Sequence, residues 1–433
     1  MIRKLLLLVL TLVLPALSTA QLAPAEQQLA AHIEAGAERA LALLAESVTI
    51  NSGTLNLEGV RRVGDLFAPE FERLGFSVEW QDGAAWQRAG HLVARRPMAG
   101  APRILLIGHL DTVFEADSPF QRFELLGDGR ARGPGALDMK GGIVIMLQAL
   151  AALAAQDTLD ALDVTVVLTG DEELSGSPLA LSKQALIEAA EYADIALGFE
   201  DGDGNPATAN ISRRGSIGWT LQVSGKPAHS SQIFSADVGS GAIFETARIL
   251  DRFHDALQDE ALLTFNPGII LGGSTVEYDA QQSAGRAYGK DNIVAETALV
   301  LGDLRAASPE QVARVQQRMQ TMTVEGHAHT SATLTFDEGY PPMAATDGNA
   351  ALLALYSTAS VDLGHGEVVA VNPLAAGAAD ISFAAVHVDM ALDGLGMGGS
   401  GGHTVDETIE LALLTSQAQR TALLLYRITL LTQ

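Results

Sequence analysis

The sequence contains no cysteine, and aromatic residues make up only 5% of it. Without a thiol, no disulfide can stabilise the fold, no lipid can be attached through cysteine, and soft thiolate sites for copper or iron-sulfur clusters are disfavoured. Stability must come from core burial, bound metal or subunit association. Positive charge is also scarce: 27 Lys and Arg face 52 Asp and Glu, a formal net charge of −25. Such a chain repels polyanions, which argues against nucleic acid or an anionic membrane as partner. Beyond the first twenty residues no run is both long and apolar enough to span a membrane.

Arg3 and Lys4 precede an apolar run from Leu5 to Leu14, followed by the small-residue pattern Ser18-Thr19-Ala20. This reads as a signal peptide over residues 1–20, cleaved near Ala20-Gln21, so the mature chain is expected in the periplasm or outside the cell with no stable membrane anchor. With 433 residues, 48% of them hydrophobic, the chain exceeds what one core usually needs, and two unequal domains are expected.

Apolar positions recur at helical spacing from Leu22 to about Ile50, and a second helix leads towards Phe76. Short apolar runs then alternate with helices: RILLIGH from Arg103, a helix over 139–154, a strand over 164–168, and a strand over 195–199 ending at Glu200. Strands alternating with helices predict a three-layer α/β domain with a mostly parallel sheet, whose ligands gather beyond the carboxyl ends of the strands. From Ile211 the order becomes strand, helix, strand, strand, helix, strand, the pattern of a ferredoxin-like domain. The α/β texture returns near Pro341 and ends in a helix around 405–426. The expected organisation is therefore a catalytic domain over 21–210 and 341–433, with a second domain inserted at 211–340.

The chemistry-bearing residues cluster at predicted strand ends. His109 and Asp111 in GHLDT alternate on extended backbone and emerge on one side. Asp138 lies among glycines in GPGALDMKGG, where it fits either a ligand or a loop and helix cap. Glu172 and Glu173 follow the strand VTVVLTGD, and adjacent carboxylates there are costly unless solvated, paired or metal-bound. Glu200 repeats that arrangement. His403 in GMGGSGGHTVDE sits in a glycine-rich loop lacking the Lys-Ser/Thr ending of a phosphate-binding loop. Two imidazoles with several carboxylates form an oxygen and nitrogen donor set for zinc or a related divalent ion.

With GHLDT, GPGALDMKGG, LTGDEE, GFE and GGSGGHT in this order, the chain resembles the M20 metallopeptidases, most closely their glutamate-carboxypeptidase-like branch, over essentially the whole mature length. The resemblance implies two Zn2+ per subunit, with Asp138 bridging them, His109 and Glu200 on one ion, and Glu173 and His403 on the other. It implies Glu172 as general base and Asp111 as the carboxylate orienting His109. The inserted domain resembles the family's lid and dimerisation domain, which implies a homodimer and a role for His229, in SGKPAHSS, in stabilising an oxyanion. Arg305, in LGDLRAA, resembles a lid arginine for the substrate carboxylate, a task suited to a guanidinium. Lys290 is a second cationic candidate for substrate, beside Arg213, Arg214 and Arg286. Asn292-Ile293-Val294-Ala295 departs from the family's Asn-Val/Ile-Ile-Pro segment.

The implied activity is a zinc carboxypeptidase acting on a peptide or N-acyl amino acid, with glutamate as the released residue. An N-acyl-amino-acid deacylase or a dipeptidase is the alternative within the enzyme class. An exported ligand-binding protein, or an assembly module with degenerate chemistry, are the alternatives outside it.

Overall fold

The computed structural model describes residues 22–280 and 282–431. The signal peptide expected over residues 1–20 lies outside them. The first predicted helix is two, Pro24–Ala35 and Ala37–Thr49, broken at Gly36. A glycine costs a helix about 1 kcal/mol relative to alanine, and the chain bends there. A third helix, Leu57–Arg73, begins where the Asn56 side chain accepts from the Gly59 amide at 3.1 Å.

A six-stranded sheet forms the centre of the larger domain, in the order 77–82, 90–96, 163–169, 103–109, 195–198, 390–392. The last four of these are mutually parallel. The first two form an antiparallel hairpin, and 90–96 also runs antiparallel to 163–169. Thus the expected parallel arrangement holds for the strands that carry the site, while an antiparallel pair finishes one edge.

Alternation along the buried strands assigns the two faces. Ile104, Leu106, Val164 and Val166 join a core with the helices Leu57–Arg73, Gly141–Ala154 and Leu411–Leu431. Leu105, Ile107 and Val167 face the helix Gln184–Tyr192 and the short helix Ile381–Ala384. Helices on both faces give three layers. The stretch 136–154 is the one apolar enough in the described residues to suit a membrane by composition, yet it is 83% buried in the protein. It is the central core helix.

The second domain has its own antiparallel sheet, ordered 264–273, 297–305, 217–224, 331–336. Ile217, Trp219, Leu221 and Val223 are buried on one face against helices Gly241–Leu257 and Pro309–Val324, while Gln222 and Ser224 face out. A hairpin of 275–279 with 284–288, not anticipated from sequence, projects between two of these strands. The two crossings between domains lie side by side as an antiparallel ribbon, with Arg213 opposite Met343 and Ser216 opposite Tyr340.

Candidate metal centre

Three neighbouring parallel strands deliver the site. Strand Arg103–His109 ends on His109, 163–169 leads into Asp171-Glu172-Glu173, and 195–198 leads to Glu200. Because the strands are parallel, their carboxyl ends open on the same edge of the sheet. Asp138 sits in the tight turn 136–140 that starts the core helix, and the Asp138-Met139 peptide is cis. Gly142 lets this helix approach the strand end: a Cβ there would stand 2.1 Å from the Phe199 carbonyl oxygen, one residue before Glu200. His403 enters from the glycine-rich loop with a left-handed φ of 62°, an uncommon conformation for a residue with a side chain.

Asp138 faces both histidines. Its Oδ1 lies 2.9 Å from His109 Nε2, and its Oδ2 lies 2.9 Å from His403 Nε2. Glu200 Oε1 stands 3.6 Å from the first imidazole and Glu173 Oε2 3.3 Å from the second. Two donor sets result, His109-Asp138-Glu200 and Asp138-Glu173-His403, each with its ligand atoms within 4.8 Å of one another.

The electrostatics follow from packing so many carboxylates together. Burial alone would lower the His109 pKa, but the Glu200 charge and hydrogen bonds to Asp111 and Asp138 raise it well above the usual value. Hydrogen bonds to Asp138 and Glu173 push His403 up to about 11. Burial and the Glu200 charge drive Glu172 well above the carboxylate range, and burial brings Glu200 to about 7. Asp138, by contrast, is held well below the usual carboxylate range despite its burial, by hydrogen bonds to His109 and His403.

Asp111 is the hub beneath the site. Its carboxylate accepts from the Thr54 hydroxyl at 2.6 Å and from the Glu172 and Glu173 amides at 3.1 and 3.2 Å. The Asp111 carbonyl lies 3.0 Å from His109 Nδ1, nearer than its carboxylate at 3.4 Å. Both groups therefore orient the ring with Nε2 towards Asp138.

Several supporting residues were not singled out from sequence, and one, Arg213, was named there only as a cationic candidate for substrate. Glu407, fully buried, accepts the Leu137 amide at 2.8 Å and shapes the Asp138 turn. Lys140, also fully buried, donates to the Ser47 and Ile50 carbonyls at 3.1 and 3.0 Å. Arg213 pairs with Asp393 at 2.6 Å, and Asp393 accepts the Glu200 amide at 3.4 Å. Under the Glu172 loop, Lys183 stands between Asp171 and Asp380 at 3.4 and 2.9 Å. Charges inside otherwise apolar segments were the available signal, since an ionised group is buried only with partners.

The substrate-side candidates lie on the second domain, apart from the two donor sets. His229 is exposed and engages Ser231 at 2.9 Å. Arg305 pairs with Asp303 at 3.0 Å. Lys290 is exposed beside a cavity of about 450 Å³ bordered by Ser230, Tyr288 and Ile293.

Residues 105–427 match the model of peptidase family M20/M25/M40. The chain belongs to that family. Among curated proteins it is 25% identical over 370 residues to carboxypeptidase G2 of Pseudomonas sp. (strain RS-16), spanning 83% of this chain and 82% of that one. It is 27% identical over 372 residues to the succinyl-diaminopimelate desuccinylase of Acidiphilium cryptum, spanning 82% and 90%. The fold superposes on aminopeptidase PepT of Bacillus cereus with a TM-score of 0.70 at 19% identity, covering 90% of this chain and 98% of that one. A metallo-carboxypeptidase of Sulfolobus solfataricus gives 0.64 at 16%, covering 90% and 99%.

The donor set fits a metal pair independently of these likenesses. Asp138 turns one oxygen to each group, and the second Glu173 oxygen, Oε1, is buried without a hydrogen-bond partner, a costly state for a carboxylate that has no cation. This M20/M25/M40 peptidase-family chain is a metal-dependent amide hydrolase.

Proposed function

We propose that the protein hydrolyses the amide bond of an N-acyl amino acid or a dipeptide, using two zinc ions. The observation that carries this reading is the division of the Asp138 carboxylate between His109 and His403. His109 and Glu200 would hold one ion, Glu173 and His403 the other, and Asp138 both. The all-nitrogen-and-oxygen donor set supports zinc. When bound, the ions supply Lewis acidity that makes water a nucleophile at neutral pH and polarises the scissile carbonyl.

Glu172 takes the proton of the attacking water and returns it to the leaving amine, the two-way task of a carboxylate placed beside the donor sets. Asp111 holds His109 and the Glu172 and Glu173 amides in register. The second domain closes as a lid, with boundaries near 211 and 340. Its strand order supports the ferredoxin-like description. Closure brings His229 towards the carbonyl oxygen and a cationic lid residue, Arg305 or Lys290, towards the substrate carboxylate. The resemblance also supports homodimerisation through this domain, and the N-terminal pattern of residues 1–20 supports export.

The deacylase and dipeptidase reading has the wider support, because several curated relatives are described as desuccinylases, some of them only as probable or putative. The likeness to carboxypeptidase G2 favours the second reading, carboxypeptidase action, for which a blocked peptide ending in glutamate is the first substrate to test. All share an acyl group joined to the nitrogen of an amino acid. Three substrate sets separate them: N-succinyl and N-acetyl amino acids, free dipeptides, and N-blocked dipeptides varied at the C-terminal residue. Amino-acid release that is lost with chelator and restored by zinc is expected for one of the first two sets. Release only from the blocked set selects the carboxypeptidase. No release from any set removes the proposed substrate class.

A further inference from the structure

The loop 170–176 that carries Glu172 is fastened almost entirely from within the larger domain. Gly170 donates to His91 Nδ1 at 3.1 Å, and Glu172 and Glu173 donate to Asp111. The Asp171 carboxylate accepts from Gly176 at 2.9 Å and from the Ser182 hydroxyl at 2.7 Å. Arg88 donates to the carbonyls of Leu174 and Ser175 at 2.7 and 3.1 Å. The carbonyl of Glu172 itself is different: it accepts the Tyr340 hydroxyl at 2.8 Å.

Tyr340 belongs to the returning crossing between the domains. Its amide and carbonyl exchange hydrogen bonds with Ser216 on the outgoing crossing, at 3.0 and 2.9 Å. Its ring packs edge-on against Phe383 at 4.9 Å and lies 5.4 Å from the Lys183 ammonium. The hydroxyl also meets Ser175 Oγ at 3.1 Å. The side chain is thus clamped on three sides, and its oxygen ends on the peptide group that follows Glu172.

We infer that Tyr340 is a positioning residue for Glu172, and that it ties the placement of this carboxylate to the interdomain ribbon. The inference rests on Glu172 being the proton-transfer group. A shift of the ribbon as the small domain moves is carried through this side chain to the Glu172 carbonyl, because the half-buried ring is held against Phe383 and its hydroxyl is bonded to both Glu172 and Ser175. Proton transfer tolerates little displacement, and misplacement of about 1 Å can cost about 100-fold in rate.

Tyr340→Phe keeps the ring and removes only the hydroxyl. In the zinc-loaded full-length protein, with the fastest substrate of the panel above, it is expected to lower kcat about 10- to 100-fold with KM within about twofold and two zinc ions retained. Amide hydrogen exchange over residues 170–176 should quicken while the melting temperature barely moves, a pattern that general destabilisation does not give. Ser216→Pro, which removes one ribbon N–H at a distance from the metals, should quicken exchange over the same residues. Unchanged kcat and exchange in Tyr340→Phe overturn the positioning role, and unchanged exchange in Ser216→Pro overturns the link to the ribbon. Glu172→Gln separates the underlying reading: if that variant keeps near-normal turnover, Glu172 is not the base and the inference falls with it, whatever exchange shows.

Discussion

Replacing Asp111 by asparagine would turn one acceptor oxygen into a donor, facing the Glu172 amide if it stands at Oδ1 or the Glu173 amide if it stands at Oδ2. Donor would then meet donor, and the loop would back away from the metals or the amide would flip and lose Thr54. Loss of such a supporting carboxylate typically weakens metal affinity about 10- to 100-fold, so Asp111→Asn should bind zinc more weakly by that factor in competition with a chromogenic chelator. At this scale much of the centre was legible in the sequence. His109, Glu172, Glu173 and Glu200 each end or follow an apolar run that reads as a buried strand, and parallel strands open at one edge. Glu407 and Tyr340 were not, because their roles are hydrogen bonds to backbone groups distant in sequence, and Lys183 was not, because only the fold brings Asp380 to join Asp171 beside it.

Gly142 shows how an element, rather than a side chain, sets the geometry. Its missing Cβ lets the core helix start against the Phe199 carbonyl, which holds Asp138 on one side and Glu200 on the other. Gly142→Ala should push the helix off the strand end, costing about 1–3 kcal/mol by overpacking and the ion shared by His109, Asp138 and Glu200. Denaturant unfolding and metal analysis of the purified variant check both.

Long elements with regular burial were read nearly to their ends: RILLIGH became Arg103–His109, and the helix expected over 139–154 runs from Gly141 to Ala154. Short or exposed ones were missed. The strand Ala284–Tyr288 is exposed at all five positions, so it has no alternation to detect, and Met390–Leu392 is three residues long, defined by its pairing with 195–198. The last helix begins at Leu411, later than the expected 405, because 408–410 pairs as a strand with 130–132 instead. Tertiary pairing there overrode a local pattern.

For the molecule as a whole, the two donor sets bring three carboxylates together, and binding of a cation there should register in global stability. Zinc at about one hundred times its dissociation constant adds about 2.7 kcal/mol per site if the unfolded chain does not bind it. Thermal melts with and without chelator should differ by several degrees, and the gap should shrink in His403→Ala. Equal melts would mean that the two donor sets hold no ion under those conditions.

The shared carboxylate at Asp138 joins a ring from residue 109 and a ring from residue 403, and the sheet strand 195–198 gains its last partner only at 390–392. During synthesis, about nine-tenths of the polypeptide must leave the ribosome before either feature can form. The inserted domain, whose sheet draws only on residues 217–336, can fold first. A chain truncated before residue 390 is therefore expected to present a finished small domain attached to an open, metal-incompetent sheet, a natural substrate for chaperones and proteases until the final segment arrives.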